Sequence, residues 1–564
     1  MKNQSIGYLV GGGLKESFNV RLTLPSQEVQ EGAFTVIRSG DWQYYGIVTD
    51  IQLGATDPRF ADEQTEMRFP PKLAEALHGQ TLYTNLEVLP TLMLEVGPDP
   101  DSDAYPAWVQ GIDSGARETP RPRPVKNVPP HHAQVTLASA GDIDEIFGKD
   151  EDGNFEIGTT REQGHPVRIN LDTFVQRSSG VFGATGTGKS FLSRIVLAGL
   201  IDHSAASVLV LDMHNEYGFD DTATDTGKTV AGLKNLFQNK VQIMGLGAGT
   251  NIRGANPDFH LEIAMGDIQP ADVLMLTRTL NLRETTPTVL SALQRTFKKN
   301  WFKAFSQMLN GAMIEIEDEN GRIKKVPAPE SIAFWANENG INVMAAEALH
   351  SKLGRLFNAP YIAEKPAADS VKQMIDNLDN GKHVILSFGK YDSDLDYLLV
   401  SNLLTRKISS VWEKRVNDFR THGKDEPRHL ILVVEEAHKL LNREMASQTT
   451  FATIAREMRK YYVTLMIVDQ RPSQIYDEVM SQLGTRISGW LGDDDDIRAV
   501  LSGLSGREAL RGMLARLQPK EEVILLGWGV PMPLPVKSRR YDDDFVRELR
   551  GKKGKRDPLR EMGF

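Results

Sequence analysis

The chain contains no cysteine, which excludes disulfides, thiolate nucleophiles, zinc ribbons and iron-sulfur clusters. It also lacks any apolar run near the ~20 residues that a membrane-spanning helix needs. Its longest runs, such as Ile195 to Ile201 and Leu430 to Val434, are far shorter. The opening MKNQSIGYLVGGG has no charged-then-apolar export pattern. These absences together predict a cytoplasmic protein with no membrane partner. An excess of basic residues is missing too: 65 Lys and Arg face 75 Asp and Glu, a net charge of -10. The field of the whole chain therefore does not advertise nucleic-acid binding, and any such contact has to be local, as on a basic channel inside an acidic exterior.

What is present folds, and in several units. At 564 residues the chain exceeds one hydrophobic core. Residues 1-96 read as short strands, with alternation at Phe18 to Leu24 and β-branched or aromatic runs at Phe34 to Arg38, Tyr44 to Leu53 and Thr81 to Val96. This pattern predicts a small N-terminal β-barrel or sandwich. Residues 97-134 carry Pro98, Pro100, Pro106, Pro120, Pro122, Pro124, Pro129 and Pro130, a density that predicts an extended arm or linker. Strands and helices then alternate over 135-267 and again over 366-540, which implies an α/β core around a parallel central sheet. Between them, residues 268-365 show helical spacing, as in Val289, Leu290, Leu293, Phe297 and in Ala348, Leu349, Leu353, Leu356, Phe357. That stretch is expected to be an inserted helical subdomain. Residues 541-564 close the chain as a charged tail.

Gly183-Ala184-Thr185-Gly186-Thr187-Gly188-Lys189-Ser190 fills every fixed position of G-x-x-x-x-G-K-[ST] between an apolar strand and a helical stretch. Glycines let successive amides curl around a phosphate, Lys189 reaches the β and γ oxygens of ATP, and the Ser190 hydroxyl ligates magnesium. Cleavage by water also needs acids at the end of a buried strand. Leu430 to Val434 is followed by Glu435, expected near the metal, and Glu436, expected to act on the water. Val208 to Leu211 ends in Asp212, expected as a polar contact to the nucleotide; with His214 and Glu216 it makes a weak metal trio, since zinc would want more imidazole. Gln470, after the strand ending at Asp469, is a candidate sensor of the γ-phosphate. Arg177, Arg456 and Arg459 are candidates to neutralise transition-state charge. His131 and His132, in the Pro-rich arm, read as surface residues.

Taken together, GATGTGKS, the LDMHNEYG segment, VVEEAH, the AREMRKY helix and the DQRPSQ strand end, behind a barrel and a Pro-rich arm, resemble the HerA branch of the FtsK-HerA ATPases over most of residues 1-540. The resemblance implies a RecA-like core, a homohexameric ring that hydrolyses ATP with Mg2+ at subunit interfaces, and translocation of double-stranded DNA. It implies the roles above for Lys189, Ser190, Glu435, Glu436 and Gln470, with arginines acting across the interface. It also implies a separate partner, a nuclease or a sirtuin-like effector, in DNA end processing or phage defence. A secretion or conjugation ATPase and an ATP-ordered scaffold for an effector are the competing readings.

Overall fold

A computed structural model describes residues 5-56, 82-151, 153-222, 227, 229-317, 322-446 and 450-553. The chain divides into two compact units. One comprises Met1–Val196, Gln470–Ser473 and Leu483–Arg540; the other comprises Leu197–Asp469, Gln474–Gln482 and Tyr541–Phe564.

The first unit begins with a closed six-stranded barrel. Its strands follow one another in the order Phe18–Leu22, Ser5–Gly11, Gln134–Leu137, Phe34–Ser39, Trp42–Ala55, Leu82–Glu95, and the last pairs back onto the first. Closure leaves no edge open to foreign strands. Alternate side chains fill the interior, among them Phe18, Val20, Ile37, Val48, Leu86, Val88 and Val135. The barrel does not end near residue 96. Its sixth strand comes from beyond the prolines, because Gln134–Leu137 buries Val135 while pairing with strands on both sides. Thr81 lies outside the described residues.

The Pro-rich stretch is also more ordered than a tether. It holds a helix, Tyr105–Asp113, with Pro106 in the first turn, where the missing N–H would have had no partner anyway. Arg123–Pro124 pairs at the sheet margin with Leu92 and Met93, a place proline tolerates.

Beyond the barrel, the first unit carries the parallel pair Ser179–Phe182 and Thr485–Ser488. Glu522–Gly527, Leu534–Ser538, Asn154–Thr160 and Pro166–Asn170 then follow antiparallel. The barrel is fastened to this sheet by Arg161, which donates to the Glu31 carbonyl at 2.9 Å and pairs with Glu522 at 2.7 Å.

The second unit holds the parallel sheet that the alternating pattern implies. Six strands run Phe259–Leu261, Val241–Leu246, His383–Ser387, Ser207–Asp212, Leu430–Glu435, Val463–Asp469, every neighbouring pair parallel. Parallelism thus holds for this unit and not for the first, whose strands are mostly antiparallel. The near-continuous apolar sequences of these strands reflect burial on both faces.

The helical insertion leaves the sheet through a two-residue parallel neck, Ile263–Ala264 against Ile362–Ala363. Its helices Thr286–Phe297 and Val343–Phe357 bury Val289, Leu290, Leu293, Leu349, Leu353 and Leu356, the spacing seen in the sequence. An exposed hairpin, Met313–Glu317 with Ile323–Pro327, interrupts the helices. A helix of 29 residues, Asp394–His422, follows the strand His383–Ser387. It is capped by Ser393 at its start and by left-handed Gly423 at its end. The charged terminal stretch is helical over Asp543–Lys553, and residues 554-564 lie outside the described residues. Among the described residues no helix is long and apolar enough to cross a membrane.

Candidate active site

In the first unit, the fully buried strand Ser179–Phe182 runs into the glycine-rich loop, and the helix Lys189–His203 leaves it. Gly186 and Gly188 adopt φ values of 77° and 88°, a left-handed backbone that side chains disfavour. A Cβ on Gly183 would stand 2.6 Å from the Thr187 hydroxyl. The loop is pinned from below: the Ala184 N–H donates to the Trp490 carbonyl at 3.0 Å, and the Thr187 hydroxyl donates to the Ala184 carbonyl at 2.7 Å. Lys189 and Ser190 occupy the first turn of the helix, half-buried, where the helix dipole favours an anion. Gln470 meets this loop directly, its amide oxygen accepting from the Thr185 hydroxyl at 2.6 Å. Arg177 lies across the Trp528 ring, 4.3 Å from its centroid, and its stem fills the space beside Gly484.

In the second unit, acids stand at the carboxyl ends of adjacent parallel strands, where open α/β sheets receive ligands. Asp212 is level with Ser387, and Glu435 is level with Val468, one residue before Asp469. Asp212 and Asp469 are fully buried and Glu435 nearly so. Both Asp212 oxygens accept amides of the following turn, Glu216 at 2.8 Å and Tyr217 at 3.0 Å. Asp212 therefore organises its own loop. His214, exposed in that loop, joins no cluster with it: among the described residues no group of three such side chains is arranged to hold a metal ion.

Glu436 has a φ of 45°, a conformation that stores roughly 1 kcal/mol or more in a residue with a side chain. Beneath it the buried Tyr397 hydroxyl donates to the Glu435 carbonyl at 2.7 Å. Burial, then the charges of Glu435, Glu436, Asp469 and Asp212, push that hydroxyl well above the usual tyrosine range, so it stays a neutral donor.

Sequence reasoning missed two residues here. His438 places its backbone N–H 2.7 Å and its Nδ1 3.0 Å from Asp469 Oδ2, and Nδ1 lies 3.6 Å from Glu436 Oε2. The bond to Asp469 raises the His438 pKa against a smaller opposing effect of burial. The signal was a histidine two positions after the acid pair, and an aspartate immediately before Gln470.

Arg456 reaches Glu478 at 3.4 Å in its own unit, while Arg459, on the turn Met458–Tyr461, is exposed. His132 packs its ring 5.6 Å from that of Tyr8, far in sequence from any of these groups.

A buried strand feeding a complete phosphate loop and a helix, with paired acids closing a second buried strand, defines a P-loop ATPase. The family described as Helicase HerA, central domain, matches residues 155–408. Over that span, and over most of its length, the chain is similar to the HerA family of the FtsK-HerA ATPases.

Relatives match nearly end to end. The DNA double-strand break repair helicase HerA of Sulfurisphaera tokodaii is 24% identical over 541 residues, 95% of this chain and 93% of that protein. Its namesake in Pyrococcus furiosus is 23% identical over 499 residues, 85% of this chain and 81% of that protein. Among solved structures, the bacterial conjugative coupling protein TrwB is similar with a TM-score of 0.45 and 12% identity, over 72% of this chain and 92% of that one.

Proposed function

We propose that the chain is the subunit of a homohexameric ring that hydrolyses ATP with Mg2+ to translocate or unwind double-stranded DNA. In this reading it serves a separate nuclease or other effector, such as a sirtuin-like enzyme, in DNA end processing or phage defence. The observation that carries the reading is the intact phosphate loop, left-handed at Gly186 and Gly188, in a chain whose full-length relatives are named as DNA repair helicases.

In this reading Gly183 to Gly188 wrap the phosphates with backbone amides, Lys189 neutralises the β and γ oxygens, and Gln470 reports the γ-phosphate through the loop residue Thr185. Ser190 and Glu435 offer oxygen donors of the hardness magnesium takes. A magnesium ion held by such donors would neutralise charge on the phosphates. Glu436 orients the attacking water. Of the arginines, Arg177 and Arg456 already engage Trp528 and Glu478, which makes exposed Arg459 the first to test as the charge supplied to a neighbouring subunit.

The test is kinetic. Lys189→Ala should lose ATP binding, because the phosphates lose their counter-ion. Glu436→Gln should keep ATP affinity within about threefold while turnover falls by roughly 10²-fold or more. ATP hydrolysis at the wild-type rate by Glu436→Gln would refute the assignment.

A further inference from the structure

His438 is anchored twice to one carboxylate. Its backbone N–H donates to Asp469 Oδ2 at 2.7 Å, and its ring Nδ1 lies 3.0 Å from the same oxygen and 3.2 Å from Oδ1. Asp469 is itself fully buried at the end of its strand. Main chain and ring are therefore fixed together. A carboxylate only accepts, so the contact at 3.0 Å puts the proton on Nδ1. That same N–H edge stands 3.6 Å from Glu436 Oε2, too long for a hydrogen bond but within reach of charge. Glu436 from its own loop and Asp469 from the adjacent strand face the ring, opposed by Lys439 at the next position.

A second observation bears on the same turn. Glu436 holds a left-handed backbone, which persists only where surrounding contacts over-determine it. The bond from the His438 amide to Asp469 closes that turn two residues on, and the Lys439 N–H donates to the Glu436 carbonyl at 2.8 Å.

We propose that His438, held by Asp469, is a positioning residue that fixes the backbone turn and carboxylate orientation of Glu436 for the attacking water. This rests on the reading of Glu436 as the group that orients that water. His438 touches neither nucleotide nor metal in this scheme. It acts through Glu436, and misplacing a reacting group by about 1 Å costs on the order of 10²-fold in rate.

The experiment measures kcat, KM and ATP affinity for full-length His438→Ala, His438→Asn, His438→Gln and Glu436→Gln. An asparagine amide N–H can take the place of Nδ1, whereas a glutamine amide falls nearer Nε2. His438→Ala should lose roughly 10- to 100-fold in kcat with KM within about threefold, and His438→Asn should return to within about threefold of wild type. Wild-type kcat in His438→Ala, or equal losses in His438→Ala and His438→Asn, would overturn the proposal. Should thermal melting show that His438→Ala does not fold, the other two decide: Asn above Gln is the expected order, and Gln equal to or above Asn overturns it. Glu436→Gln separates the two ideas. If it turns over normally, the water-orienting reading fails. If it is inactive while His438→Ala is not, only the positioning role fails.

Discussion

Two histidines in the second unit, His383 buried and His438 half-buried, respond to protons in opposite directions. His383 is 2% exposed in its strand, and among the described residues neither ring nitrogen has a hydrogen-bond partner. Burial, helped by Arg428 and Lys240, lowers its pKa from 6.5 to about 3. The folded chain therefore holds His383 neutral, while the unfolded chain protonates it below about pH 6.5, so acid favours unfolding. The contribution is complete above pH 6.5 and is lost as pH falls, at about 1.4 kcal/mol per unit, until the folded pKa is reached. His438 has the reverse sign: its raised pKa stabilises below the unfolded value and fades as pH rises through the folded one. The expected outcome is that His383→Leu narrows the gap in unfolding free energy between pH 7.5 and pH 5 by about 2 kcal/mol. Urea titrations of wild type and variant at both pH values check this, and an unchanged gap counts against it. At this scale the sequence revealed what lies contiguous in the chain. Gly183 to Ser190 run without interruption from the strand through the loop into the helix, as their spacing predicts. His438 and Asp469 were not legible as a pair, because they come from different strand ends 31 residues apart and only parallel pairing joins them.

Elements were legible where their period was strong. The helices Thr286–Phe297 and Val343–Phe357 and the strand Leu430–Glu435 lie where their apolar spacing puts them. The sixth barrel strand was not legible, since Gln134–Leu137 is four residues long behind a proline-rich stretch and its identity comes from partners more than 90 residues away in sequence, such as Thr35 to Ile37. Prolines marked where regular structure starts and where sheet margins fall, rather than its absence. The way the insertion is held to the rest of its unit was also invisible in sequence. Asp272, fully buried in the first turn of the helix Pro270–Leu274, accepts from Arg406 at 2.7 Å and from Asn402 at 3.0 Å, both on the long helix Asp394–His422. Removing the carboxylate strands these two donors and the Gln269 N–H, which also donates to it at 2.8 Å. Because the Arg406 side chain is a quarter exposed, water recovers part of the loss, and Asp272→Ala should cost about 2–4 kcal/mol. Limited proteolysis should then cut first within residues 268-317. Wild-type protease resistance together with a wild-type urea midpoint would count against the role of this contact.

The assembled molecule is where net charge matters. Each chain carries -10, so in the proposed ring of six the net charge would repel DNA, and productive contact would have to come from basic groups gathered on a limited surface. Two measurable consequences follow from the proposed motor. The native mass with ATP should approach six times 62.8 kDa. The stimulation of hydrolysis by duplex DNA should be strongly dependent on salt, because each phosphate neutralised by Lys or Arg releases about 0.9 counterion. If the ring engages even four phosphates at once, the apparent affinity for DNA falls with a log-log slope of about -3.6, or roughly 10²-fold between 50 and 200 mM salt. Hydrolysis without DNA should change far less over that range, since the proposed grip of half-buried Lys189 on ATP would be a short-range contact. ATPase titrations with duplex DNA at three or four salt concentrations measure the slope directly. A slope near zero with undiminished stimulation would mean that DNA is not gripped through its backbone. No stimulation at any salt concentration, from a ring that hydrolyses ATP normally, would remove DNA as the driven substrate and leave the ATPase chemistry standing.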